Sequence, residues 1–129
     1  MASPTALLAE DNLINQMMVS DLLEDMGMSV EIAGDGLQAV EMCKKHKYDL
    51  IFMDLEMPKL NGSEAAQEIR KRESYFTPII ALTAHDREGK IQGLRKAGFN
   101  GFLQKPVSHE DLEKLVHSFI SPSHLTPKS

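Results

Sequence analysis

Five short apolar runs punctuate the chain, each followed by a stretch whose apolar residues recur at three and four spacing. The runs are Thr5–Ala9, Ser29–Ala33, Leu50–Met53, Pro78–Thr83 and Gly101–Gln104, each four to six residues long. The first, third and fourth are apolar nearly throughout, which is how a strand buried on both faces reads. The helix-period segments run from about Leu13 to Met26, Leu37 to Lys45, Ser63 to Arg72, Glu88 to Ala97 and Ser108 to Ile120. Gly27 and Gly98 are natural helix stops. Ser108, with Asp111 three residues on, predicts a capping box. Strand–helix alternation of this kind predicts an α/β fold, a parallel sheet with helices on both faces and right-handed crossovers. On the first helix, Met18, Val19, Leu22, Leu23 and Met26 share a face that should pack on the sheet, and Leu13 and Met17 fall nearly opposite.

A length of 129 residues is one ordinary domain, 1–129, with its core over about 5–120. Residues 121–129 are polar and rich in Ser and Pro, so a frayed tail is expected. Hydrophobic residues make up 42% and charged residues 26%, which is globular rather than disordered composition. The net charge of −5 argues against unaided binding to nucleic acid or an anionic membrane. Cys43 is the lone cysteine, so no internal disulfide can form; its place in a helical pattern predicts a small core residue. No apolar run approaches the roughly 20 residues of a membrane helix. The first residues lack a signal-peptide pattern, so a cytoplasmic location is expected. The five histidines, 46, 85, 109, 117 and 124, are scattered without ligand spacing.

In a doubly wound sheet, ligands bind beyond the carboxyl ends of the strands. Glu10 and Asp11 follow the first strand, Asp54 the third and Lys105 the fifth, and Thr83 ends the fourth. Close carboxylates repel, so one stays protonated or a cation binds. An oxygen-only donor set suits magnesium rather than zinc. Lys105 supplies a positive charge for a phosphate oxygen and Thr83 a hydroxyl donor. Together these residues describe a phosphoryl-transfer site. Its nucleophile should be Asp54, which follows the buried Leu50-Ile51-Phe52-Met53 strand. Taken singly, each residue reads blandly. Glu10 and Asp11 would cap a helix, Thr83 would end a strand, Lys105 would be solvated and Phe102 would be core.

The residues Glu10-Asp11-Asn12, Asp49 through Pro58 including Asp54-Leu55-Glu56-Met57-Pro58, Asn61-Gly62, Pro78 through Ala84, and Ala97-Gly98 through Lys105-Pro106 form an ordered series. It resembles the response regulator receiver domain over nearly the whole chain. The resemblance implies a flavodoxin-like five-stranded sheet of order 2-1-3-4-5 with five helices, the order the flavodoxin-like fold exemplifies. It implies that Asp54 accepts a phosphoryl group from a partner histidine, on a histidine kinase or a histidine-phosphotransfer protein. Glu10, Asp11, Asp54 and the Glu56 backbone carbonyl would hold Mg2+. Lys105 would contact the phosphoryl group, Thr83 and Phe102 would switch, and Lys105-Pro106 would be cis. Phe102 stands where many relatives have tyrosine, so its movement would rest on packing alone. Glu56 and His85 are expected to tune the lifetime of the phosphorylated form. The Glu10-Asp11-Asn12 and Asn15-Gln16 opening resembles receivers attached to, or fed by, hybrid histidine kinases. Leu13 and Met17, beside the acid cluster, are expected to dock the partner's helices. The readout face should be strand four, helix four and strand five.

The rival reading is a haloacid-dehalogenase-type phosphatase, which also forms an aspartyl-phosphate and carries an acid two residues on. Its nucleophile follows the first strand, and a cap domain is usual; here Asp54 follows the third strand. A flavin module on the same fold would want a Ser-, Thr- and Gly-rich first loop, which Glu10 and Asp11 replace. A domain that only docks partners would lack an acid or the lysine. The sequence therefore points to a phosphoacceptor switch and not to a turnover enzyme.

Overall fold

The computed structural model describes residues 3–72, 76–84 and 88–125. Its strands are β1 (Thr5–Ala9), β2 (Ser29–Ala33), β3 (Leu50–Asp54), β4 (Ile79–Thr83) and β5 (Gly101–Gln104). Its helices are α1 (Leu13–Asp25), α2 (Gly36–Lys45), α3 (Gly62–Arg70), α4 (Glu88–Ala97) and α5 (His109–Phe119). The strands are all parallel, in the order β2-β1-β3-β4-β5. Burial follows this order. The interior strands β3 and β4 are buried at every position, whereas the edge strand β2 buries only Ala33.

Alternation along the strands divides the core into two layers. Leu7, Ala9, Ile51, Met53, Ile79 and Ala81 meet α2, α3 and α4 on one face. Leu8, Leu50, Phe52, Ile80 and Leu82 meet α1 and α5 on the other. Fully burying one such side chain contributes about 1.5–3 kcal/mol, so the two layers carry the fold. Cys43 lies buried in the first layer, as expected. Gly27 and Gly98 take left-handed φ values of 99° and 107° at the helix stops.

Several expectations need correction. Met18 is 45% exposed. The sheet-facing line of α1 is Val19, Leu23 and Met26, with Leu22 half-buried, and a helix buries only the stripe its neighbours reach. Ser108 accepts the Asp111 N–H at 3.1 Å, but the box has no return bond among the described residues; aspartate is one methylene shorter than the Glu or Gln that completes it. The complete box lies at α3, between Asn61 and Glu64. That helix runs Gly62–Arg70, earlier at both ends than its periodicity implies. β3 extends to Asp54, and β4 begins at Ile79. The described part of the tail is not frayed. Pro122–His124 form a 3-10 turn, and Leu125 is buried in the α1/α5 layer.

One side chain ties α3 to the turn between α4 and β5. Arg70 Nε donates to the Gly98 carbonyl at 3.1 Å, and Nη2 donates to Asn100 Oδ1 at 2.7 Å. Asn100 Oδ1 also accepts the Ile79 N–H at 2.9 Å. No helix of the described residues is long and apolar enough to cross a membrane.

Candidate functional site

The parallel register sets the carboxyl ends of β1, β3, β4 and β5 side by side. Ala9 pairs with Met53, Asp54 with Leu82, and Thr83 with Gln104. Residues at or just after those ends therefore converge. Glu10, Asp11, Asp54, Glu56, Thr83 and Lys105 all line one cleft of about 660 Å³. Lys105 Nζ lies 2.8 Å from Asp54 Oδ2 and 3.0 Å from Glu10 Oε2. Asp54 Oδ1 accepts the Glu56 N–H at 3.1 Å. Glu10, Asp11 and Asp54 each place a carboxylate oxygen within 4.8 Å of the others. Asp11 is exposed, but Glu10 and Asp54 are only 1% and 5% exposed.

Burial on this scale shifts proton affinities. The Glu10 carboxyl is pushed above its ordinary value, first by burial and then by the neighbouring Asp54 charge; Lys105 and Asn15 pull the other way. For Lys105, burial alone would lower the pKa, yet the contacts with Asp54 and Glu10 outweigh it and raise the net value. Lys105 is therefore a cation throughout the neutral range.

Glu10 is also held by its neighbours on α1. Its Oε1 accepts the Asn12 N–H and the Asn15 Nδ2, each at 3.2 Å. Its carbonyl accepts Gln16 Nε2 at 2.6 Å. Oε2 has the Lys105 ammonium at ion-pair distance and no hydrogen-bond partner. A buried carboxylate oxygen lacking a hydrogen bond, beside two further carboxylates, is an environment that a hard cation would complete. The donors are oxygens only, so the residues fit magnesium.

The loop after β3 is fixed from below. Asn61 Oδ1 accepts the Glu64 N–H at 2.9 Å, and Glu64 Oε1 accepts the Asn61 N–H at 3.2 Å, capping α3. A Cβ on Gly62 would overlap the Asp54 carbonyl oxygen, and one on Gly36 would overlap the Leu60 carbonyl. Only glycine allows these close approaches. Lys59 takes a left-handed φ of 68°, and its Nζ lies 3.6 Å from Asp35, the N-cap of α2. The Lys105-Pro106 bond is cis.

The structure thus gathers Glu10, Asp11, Asp54, Glu56, Thr83 and Lys105. Phe102 lies outside the cleft, half-buried against the α2–α4 layer beside Ala81. His85 lies outside the described residues. Leu13 and Met17 are 72% and 64% exposed at the start of α1, and Ile14, which the helical wheel passed over, is exposed with them. Sequence reasoning also missed the hold of Asn15 and Gln16 on Glu10. The Asn61–Glu64 box was legible as Asn-x-x-Glu ahead of an apolar helix.

A five-stranded parallel sheet with an acid cluster and a lysine at its switch point defines a phosphoryl-handling α/β protein. A family model, the response regulator receiver domain, matches residues 6–117, and the chain belongs to that family. It is 38% identical over 128 residues to the probable histidine kinase 2 of Oryza sativa subsp. indica; the match covers 86% of this chain and 12% of that protein, so the chain spans a small part of this relative. Among solved structures, it resembles the receiver domain of the sensor histidine kinase PA1611 from Pseudomonas aeruginosa PAO1, which has a magnesium ion coordinated in its active-site cleft. There the TM-score is 0.85, the identity 37%, and the coverage 92% of this chain and 98% of that one. It also resembles a co-crystal structure of the Saccharomyces cerevisiae histidine phosphotransfer signaling protein Ypd1 with the receiver domain of its downstream response regulator Ssk1. That match has a TM-score of 0.83 and 34% identity, covering 92% of this chain and 89% of that one. Receiver domains serve two-component phosphorelay signalling and are not, in general, turnover enzymes.

Proposed function

We propose that Asp54 is the phosphoacceptor of a Mg2+-dependent receiver, within a single domain spanning residues 1–129. The observation that carries this is the buried Asp54 carboxylate held 2.8 Å from Lys105 inside the acid cluster. In transfer, an Asp54 carboxylate oxygen forms a bond to phosphorus, and the bond from phosphorus to the partner's imidazole nitrogen breaks. The electron pair stays on that nitrogen. Lys105, already beside Asp54 Oδ2, offsets the charge of the phosphoryl oxygens. The Glu56 N–H holds the other Asp54 oxygen and orients the carboxylate. Glu10, Asp11, Asp54 and the Glu56 carbonyl would hold the magnesium ion, which when bound neutralises phosphoryl charge.

Thr83 and Phe102 act as the switch. Thr83 stands at the end of β4, and Phe102 is beside Ala81 on β5, so a pull on the threonine hydroxyl opens packing space next to the ring. The effect is a bias on an existing equilibrium. Glu56, exposed at the mouth, and His85 tune access of water to the phosphoryl group. Changing both is expected to alter the dephosphorylation rate; an unchanged rate removes the assignment. Leu13 and Met17 dock the donor, a histidine kinase or histidine-phosphotransfer protein, in a cytoplasmic setting. With Leu13→Ser and Met17→Asp combined, phosphorylation by acetyl phosphate should persist while partner-dependent transfer falls; equal losses reject the docking role. Catalysis is limited to the chain's own phosphorylation and dephosphorylation.

The primary test is intact mass after incubation with acetyl phosphate and Mg2+. One added phosphoryl group is expected on the wild type, none without magnesium and none on Asp54→Ala. An adduct that persists on Asp54→Ala overturns the assignment. A wild type that neither gains mass nor binds beryllium fluoride overturns the phosphoacceptor reading as a whole.

A further inference from the structure

Two residues of the α1 opening, Asn15 and Gln16, have no part in the chemistry above, yet both side chains turn back onto Glu10. Neither is needed to begin the helix. Asn12 is the N-cap of α1, and its Oδ1 accepts the Asn15 backbone N–H at 3.0 Å. The Gln16 backbone N–H is taken by the Asn12 carbonyl at 2.9 Å. The two side-chain amides are therefore spare with respect to α1, and both are spent on one residue. Their orientation follows from chemistry, because a carboxylate or carbonyl oxygen can only accept and the NH2 group must face it.

The result is a Glu10 whose two carboxylate oxygens are not equivalent. Oε1 is occupied by Asn12 N–H and Asn15 Nδ2, while Oε2 is turned toward Lys105 and lacks a hydrogen bond. The backbone beneath is pinned at both ends, with Glu10 N–H donating to the Ala33 carbonyl at 3.0 Å and Gln16 Nε2 reaching the Glu10 carbonyl at 2.6 Å. Freeing both carboxylate oxygens for a ligand would break the two bonds at Oε1.

We infer that Asn15, supported by Gln16, is a positioning residue that leaves Glu10 a single oxygen free of hydrogen bonds and so sets the metal preference of the site. This inference rests on the magnesium-dependent reading above. Magnesium demands compact octahedral geometry, keeps several waters and takes few carboxylate oxygens, whereas calcium takes more ligands and accepts bidentate carboxylates. A Glu10 locked to a single oxygen suits the smaller ion. Outer hydrogen bonds of this kind commonly change metal affinity by about 10–100-fold.

The test is a titration of magnesium-free protein with Mg2+ and separately with Ca2+, followed by backbone amide NMR shifts at the site. It uses the wild type, Asn15→Leu, Glu10→Gln and the double variant, with urea unfolding in EDTA as a control. Asn15→Leu should weaken Mg2+ binding about tenfold and Ca2+ binding less, narrowing the preference. The double variant should bind Mg2+ no worse than Glu10→Gln alone, since Asn15 acts only through Glu10. Wild-type affinity and preference in Asn15→Leu, or losses that add in the double variant, overturn the inference. If leucine disturbs folding, Asn15→Ala carries the same comparison. Should the wild type bind magnesium and take a phosphoryl group while Asn15→Leu changes nothing, this inference alone fails. Should the wild type do neither, the phosphoacceptor reading fails with it.

Discussion

Replacing Lys105 with methionine keeps the aliphatic stem and removes the ammonium that lies between two buried carboxylates. The Nζ–oxygen distances are 2.8 and 3.0 Å. At an effective dielectric of about 20, each contact has a gross attraction of about 5–6 kcal/mol. Desolvation of the three charges cancels most of that, and removing one partner of a buried pair costs about 3–5 kcal/mol net. The Lys105 side chain is 21% exposed at the cleft wall, and water screens it there, so the expected loss is about 2 kcal/mol in magnesium-free buffer at neutral pH. Two features separate this from a packing defect. Magnesium supplies the missing positive charge, so the gap to wild type should narrow when Mg2+ is added. The pH dependence should change as well. The Lys105 pKa is raised, so its stabilisation is complete below the ordinary lysine value and fades as pH climbs through the raised one; only the wild type should show that alkaline loss. The Glu10 pKa is raised too, so charged Glu10 costs stability as pH rises through its own raised value. Without the ammonium that value moves higher, and Lys105→Met should gain more than wild type on acidification from neutral pH. Urea midpoints at neutral, mildly acidic and alkaline pH, each with and without Mg2+, measure all of this. Equal midpoints for variant and wild type, or a deficit that magnesium leaves untouched, would refute the reasoning.

Gly62→Ala forces a methyl group against the Asp54 carbonyl, so a loss of about 2 kcal/mol by urea unfolding is expected from overpacking. Its phosphorylation by acetyl phosphate should slow as well, because the obstruction is the backbone of Asp54, the proposed phosphoacceptor. Asn61→Ala removes half of the α3 capping box and should cost about 1 kcal/mol on the same assay. Leu125→Ala empties a buried position beside α1 and α5; a loss of about 2 kcal/mol in the urea midpoint is expected, at the low end for a buried leucine because the site lies near the end of the described fold.

The sheet was legible because interior strands have no choice of composition. Leu50 to Met53 and Ile79 to Leu82 face helices on both sides and read as unbroken apolar runs. The acid cluster was legible for a related reason, since β3 cannot be continued by a charged residue except where it leaves the sheet. What escaped was set by tertiary neighbours rather than by period. Met18 fits the wheel of α1, yet it stands off the line that touches the sheet. Leu125 is one apolar residue in a polar stretch, and only its place against the α1/α5 layer marks it as core. The grip of Asn15 and Gln16 on Glu10 was hidden because both residues are polar near a helix start, where they usually face water.

The Arg70 contacts have a mechanical side. The guanidinium grips the Gly98 carbonyl and Asn100, immediately beyond the last turn of α4, where Leu94, Ala97 and Phe99 are also buried. Were α4 to tilt, that anchored end would be its fulcrum. A helix of 10 residues is about 15 Å long, so a tilt of about 10° that left the fulcrum alone would carry the other end through roughly 2–3 Å. The end with that travel is the one that follows Thr83 in the chain. A small displacement at the threonine would therefore move the start of α4 most and fade along the helix, and Arg70, from a different helix, would set the point about which it turns.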